Sequence, residues 1–297
     1  MTASIINDLR GAFRKGNIYV RLIYINVAVF VLLEVVKIAL MLFNRSFEGI
    51  IRWLEMPAAP EQFVRQPWSA VTYMFMHAGA LHLLFNMLWL YWFGSLFLLF
   101  FSAKHLRGLY LLGGIAGALF YLLAFNLFPF FEPYRNSLLV GASASVLAIV
   151  AATAYREPNY TIRLLFLGAV KLKYLALAVI ALDLLSVLDN NGGGHIAHLG
   201  GALAGVWFAA ALGKGHDLTA WINRCVDGVQ SLFASHPKKP KMKIVRGGGG
   251  RQQDYDYNAR KKAEAGEIDR ILDKLKKSGY ESLSAAEKKT LFDASKR

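Results

Sequence analysis

The chain has 297 residues, 55% hydrophobic and only 18% charged, with a formal net charge of +14. A soluble domain is nearer half apolar and a quarter charged, and several runs here reach the ~20 apolar residues that span a bilayer, so a multi-pass membrane protein is expected. The single cysteine, Cys225, excludes an intrachain disulfide framework. The basic residues gather in alternate loops and in the tail, which reads as a topology signal, with attraction to anionic lipid second and nucleic acid not expected.

The N-terminal segment, residues 1–21, carries Arg10, Arg14, Lys15 and Arg21, and Met1–Asn17 lacks the apolar core and cleavage site of a signal peptide, so the first span is expected to direct insertion. That span is expected over about Leu22–Phe43. Glu34 and Lys37 interrupt it at spacing i, i+3 and are read as a structural pair turned into the bundle. A long connection, Asn44–Ala80, follows, and its apolar piece Ile50–Met56 with Trp53 is too short to cross and suits the interface.

Further spans are expected over Leu81–Phe101, Leu109–Leu127, the apolar run Leu138–Ala154, Tyr174–Leu188 and His195–Leu212. Asp189–Gly194 reads as a flexible turn before the last. Six spans place both termini on one side. The N-terminus, the second-to-third loop, the fourth-to-fifth loop and the tail carry excess Lys and Arg, so that side is expected to be cytoplasmic.

Beyond the spans, residues 213–236 have apolar positions at helical spacing (Leu218, Trp221, Ile222, Cys225, Val229, Leu232, Phe233), as in a helix lying on a membrane. Residues 237–258 read as a flexible basic linker with the glycine run Gly247–Gly250. Residues 259–297 read as a helical hairpin: Ile268, Ile271, Leu272 and Leu275 stripe one helix, Gly279 ends it, and Ser284 and Glu287 form a capping box for the next.

Three polar clusters stand at the starts of the second, fourth and sixth spans, all on the outer face under this topology. His82 and Asn86, four apart, share one helix face. Ser143 follows Gly141 and Ala142, about five residues and hence about 8 Å into its span. His198 precedes Gly201 and Gly205, a small-xxx-small spacing that lets helices touch. A serine needs a base to become a nucleophile, histidine titrates near neutrality, and attack on an amide makes an oxyanion that needs donors. His82, Asn86 and the Ser143 N–H can supply them. Taken singly, each of these residues has an ordinary packing or interhelical hydrogen-bonding role, and it is their common depth that favours chemistry.

With these residues in view, the chain resembles the rhomboid family of intramembrane serine proteases over roughly Pro67–Gly205. Pro67-Trp68 through His77, His82-Leu-Leu-Phe-Asn86, Gly141-Ala-Ser143-Ala144 and Ala197-His198-Leu-Gly-Gly201-Ala-Leu-Ala-Gly205 carry the resemblance. It implies a six-span all-α bundle and a Ser–His dyad without a carboxylate, with Ser143 as nucleophile and His198 as general base. It also implies His82 and Asn86 in the oxyanion site and His77 in support. The glycine register selects His198 over His195. Ala144 departs from the family's usual glycine after the serine. The acidic residue often seen late in the second span is absent from Leu96–Phe101.

The implied substrates are single-pass or multi-pass membrane proteins with small, helix-weakening residues near the cut, since a hydrogen-bonded helix must unwind before its carbonyl is attacked. The fifth span and its loops are a candidate gate. Asp183 within it is read as bonding a neighbouring helix rather than completing a triad. No cofactor or metal is expected, because His77, His82, His195 and His198 have no carboxylate or thiolate at ligand spacing. The expected setting is a bacterial inner membrane; oligomeric state is left open. The alternatives are a silent, client-binding relative, disfavoured by the presence of both Ser143 and His198, and a transporter, disfavoured by the scarcity of intramembrane charge.

Overall fold

The computed structural model describes residues 11, 13, 16–164, 168–189, 191–233 and 250–295. Apolar runs punctuated by glycine and proline fold into helices α1 (Ile18–Leu42), α2 (Glu48–Arg52), α3 (Pro60–Arg65) and α4 (Ser69–Thr72). They continue as α5 (Ala80–Phe97), α6 (Ala103–Leu127), α7 (Ser143–Arg156), α8 (Leu172–Leu185), α9 (Gly192–Gly213) and α10 (Ala220–Phe233). The second compact unit begins after Ala234 and holds α11 (Gly250–Ser278) and α12 (Ala285–Ser295).

Among the described residues four helices, α1, α5, α6 and α9, are long and apolar enough to cross a membrane. The other two expected spans, α7 and α8, have 14 residues each, about 21 Å of rise against a hydrocarbon core of about 30 Å. The multi-pass helical architecture stands, but two of the six expected spans coil over fewer residues than their apolar runs. The reason is visible at α7: Leu138-Leu139 forms strand β2, paired antiparallel with β1 (Met56-Pro57), so the run enters extended before it coils. A second pair, β3 (Thr161–Leu164) with β4 (Gly168–Lys171), lies in the basic connection between α7 and α8. The all-α architecture holds, and these two small ribbons are local additions to it.

Boundaries shift elsewhere. The α6 helix starts six residues before the expected Leu109, because the Ser102 side chain caps it and His105 returns the bond. The α9 helix starts at Gly192, so Gly192–Gly194 are helical rather than a flexible turn. A Cβ on Gly193 would fall 2.6 Å from Tyr121, so this glycine run serves close packing. Glu34 and Lys37 do pair, at 3.6 Å, but their side chains are about 40% exposed, 42% and 44%, and do not turn into the bundle.

At the centre, every residue from Ala144 to Ala154 is buried, so α7 is the axis around which α6 and α9 pack. Glycine makes that approach possible. A Cβ on Gly201 would lie 2.1 Å from Ala144 O, and one on Gly205 2.2 Å from Ala148 O. By contrast, α8 buries only Leu172, Ala176 and Asp183.

The long connection before α5 is folded: Trp53 stacks on Trp68 at 5.6 Å, and Gln66 donates to Arg52 O and Glu55 O. After the spans, α10 is tied to α6 by Arg107, which reaches Asn223 Oδ1 (2.8 Å) and Asp227 Oδ1 (2.7 Å), while Trp221, Val229 and Leu232 stay exposed. Residues 234–249, which hold most of the expected linker, lie outside the described residues. The rest of it, from Gly250 to Asn258, is helical, which corrects the linker's far boundary. In the terminal hairpin Gly279 has φ +75°, the Ser284 N–H donates to Glu287 Oε2 (2.7 Å), and Lys274 reaches the same carboxylate at 2.9 Å.

Candidate functional site

Ser143 is the first residue of α7, not five residues inside it, so a depth reckoned from helical rise does not apply. What sets it there is Gly141, whose φ of +128° is a conformation that side chains rarely adopt. The Gly141 N–H donates to Tyr73 O (3.0 Å), and the Ala58 N–H donates to Ser137 O (3.1 Å). These bonds hold the chain from Ser137 up to the turn at Gly141, after which Ala142 is already in the helical region and Ser143 opens the helix. First-turn N–H groups lack intrahelical acceptors and lie at the positive end of the helix dipole, which suits an oxyanion.

His82 and Asn86 come from the first two turns of α5. The Ala78 N–H lies 3.4 Å from His82 Nδ1, and Asn86 Nδ2 donates to His82 O (2.9 Å). A Cβ on Gly141 would stand 3.1 Å from His82 Nε2 and 3.5 Å from Ser143 Oγ. Glycine there is therefore what lets the imidazole and the hydroxyl approach one turn of backbone.

These groups open onto one cavity of about 860 Å³, lined among others by His82, Asn86, Ser143, Asp183 and His198. Leu138–Val140 form its extended wall, and Phe85, Trp89, Phe125, Phe130 and Phe131 make it largely apolar. Gly201 and Gly205 lie away from it, at the α7–α9 contact. His77, in the loop ahead of α5, packs its ring on His82 at 5.3 Å between centroids.

The sequence reading missed one contact. Asp183 Oδ1 lies 2.8 Å from His198 Nδ1 and 2.8 Å from His195 Nδ1, so the histidines do have a carboxylate partner. The expectation that His195 and His198 have no nearby carboxylate at ligand spacing is corrected, and the dyad without a carboxylate that the resemblance implied has an acid beside its histidine. Asp183 does bond a neighbouring helix, as anticipated, but it does so through the candidate base. The available signal was the cost of a charge inside a span, which demands a partner, and the nearest polar groups on the following helix are these two imidazoles. An ionised carboxylate only accepts, so Nδ1 of His198 carries the proton and Nε2 is left with its lone pair. Of the two histidines, His198 lines the cavity with Ser143.

Comparison with known proteins identifies the family. A rhomboid domain matches residues 64–215, about half of the chain. The chain belongs to the rhomboid family. Residues 252–297 match a family of unknown function, DUF6576. The rhomboid region is 30% identical over 157 residues to "RHOMBOID-like protein 12, mitochondrial" of Arabidopsis thaliana, covering 50% of this chain and 47% of that protein. It is 31% identical over 147 residues to "Presenilin-associated rhomboid-like protein A, mitochondrial" of Danio rerio, covering 48% of this chain and 36% of that protein. The chain thus spans less than half the length of these relatives.

His77 makes one property measurable. Burial, reinforced by the neighbouring His82, lowers its pKa to about 4 from an ordinary value near 6.5. Between those values the unfolded chain takes up a proton that the folded chain refuses, so stability falls as pH drops from about 6.5 to about 4, by up to about 3 kcal/mol. Unfolding midpoints in detergent should decline across that window for wild type and more shallowly for His77→Gln. Equal slopes for the two proteins would show that His77 titrates normally.

Proposed function

We propose that this rhomboid is an intramembrane serine endopeptidase that cuts peptide bonds in or near the transmembrane segments of other membrane proteins. Ser143 is the nucleophile, His198 its general base, and His82, Asn86 and the Ser143 N–H are the donors for the oxyanion. The observation that supports this best is the shared cavity, lined both by a serine that heads a helix and by a histidine whose Nδ1 is engaged by Asp183. That bond directs the basic Nε2 away from Asp183, the condition for taking a hydroxyl proton. Asp183 acts here as a positioning residue.

The apolar lining suits an unwound, largely apolar segment rather than a soluble peptide. The Lys- and Arg-rich loops place the termini on the cytoplasmic side in this reading, in the manner of a bacterial inner membrane, with the cavity near the opposite face.

One reconstitution tests activity and orientation together. In liposomes, a single-pass reporter with small residues near the end of its span remote from the enzyme's termini is expected to be cut there, as mapped by mass spectrometry. A reporter with the same residues at the other end should survive. Cutting only the second reporter would reverse the orientation, and capture of both without cleavage would favour a client-binding rhomboid.

A further inference from the structure

Asp183, His195 and His198 also form a group that the proteolytic reading does not exhaust. His195 and His198 stand one turn apart on α9, with ring centroids 5.8 Å apart, and both aim Nδ1 at the same oxygen of Asp183. One ligand atom from each lies within 4.8 Å of the others. Asp183 is only 5% exposed, and its second oxygen, Oδ2, is buried with no hydrogen-bond partner. The histidine side chains are 23% and 21% exposed, so the group is reachable from water.

Two imidazoles and a carboxylate are a ligand set suited to zinc, with Zn–N and Zn–O distances of about 2.0–2.2 Å. Tetrahedral bonds of that length separate ligand atoms by about 3.3 Å, so the present 2.8 Å contacts need to widen by only about half an ångström. The unpartnered Oδ2 supplies a further donor on the same side chain. We propose that this trio binds a zinc ion, and that bound zinc switches the protease off.

The second half of that statement rests on the dyad assigned above and follows from the tautomer. Zinc on Nδ1 of His198 displaces the proton that Asp183 holds there, and a neutral imidazole must then carry its proton on Nε2. His198 faces Ser143 as a donor and has no lone pair with which to take the hydroxyl proton.

The test uses the full chain in detergent, purified with chelator and then given zinc chloride. Bound zinc is measured by equilibrium dialysis, and the rate of labelling by a serine-directed fluorophosphonate is followed in the same samples. Wild type is expected to take up one equivalent while its labelling falls roughly 10-fold or more, reversibly with chelator. His195→Ala and His195→Gln, which alter a residue outside the cavity lining, should label within a few-fold of the metal-free wild-type rate while losing affinity by roughly 10-fold or more and resisting zinc. Wild-type uptake no greater than in the His195 variants overturns the site. Uptake without slowed labelling overturns the switch. If metal-free wild type never labels, it is the protease reading that fails, and dialysis still decides the zinc site.

Discussion

Ser143→Ala should lose fluorophosphonate labelling altogether, a fall of at least about 10,000-fold, while remaining folded, because Ser143 lines the cavity with His82 whereas the other first-turn hydroxyl of α7, Ser145, is buried and does not. His198→Ala should fall nearly as far, since nucleophile and base act as one unit and their losses do not add. Asp183→Asn probes the contact that the sequence did not disclose. An amide can present its NH₂ to Nδ1, which then must accept, leaving the proton on Nε2 and the base disabled. A loss of about 10- to 1,000-fold, with the protein still folded, is expected. His195→Ala should label within a few-fold of wild type. Persistence of labelling in Ser143→Ala would place the nucleophile elsewhere, and loss in His195→Ala with retention in His198→Ala would exchange the two histidines. If folded wild type never labels, a client-binding rhomboid becomes the better account.

Gly201→Val should be the most damaging change outside the cavity. Even a single Cβ at this position would stand 2.1 Å from Ala144 O, and its obstacle is backbone of the central helix rather than a side chain that can rotate. The helices must separate, at a cost of about 3 kcal/mol or more, and the cavity that Ser143 of α7 and His198 of α9 both line is disturbed with them. The fraction of protein that stays monodisperse in detergent after graded heating is the measurement. Gly228→Ala on α10, where nothing lies within 4 Å of the new Cβ, is the control and should be neutral or slightly stabilising. Equal heat resistance in the two variants would mean that α7 and α9 are not in backbone contact.

These two experiments divide along the line between sequence and structure. The apolar runs, the alternation of loop charge and the three polar clusters are local properties, because membrane insertion responds to the hydrophobicity of about 20 consecutive residues and to the charges beside them. The small-xxx-small spacing after His198 likewise told which face of α9 meets another helix, since side-chain period on a helix is a matter of counting. The same holds for the capping box at Ser284, where both partners lie within one turn.

Tertiary structure alone decided where the fourth crossing begins to coil. Leu138-Leu139 is apolar enough for a helix, yet it pairs with Met56-Pro57, more than 80 residues earlier. That distant strand and the backbone of Gly141 put Ser143 at a helix terminus, where N–H groups are unspent. The partner of Asp183 was also beyond local reading: the cost of an intramembrane charge says that a partner exists, but 12 and 15 residues of chain and a change of direction lie between Asp183 and its histidines. Hydrophobicity and charge sort a chain into spans by summing over neighbours in sequence. The meeting of a carboxylate, two imidazoles and a serine depends on how those spans pack, and only the folded bundle contains that information.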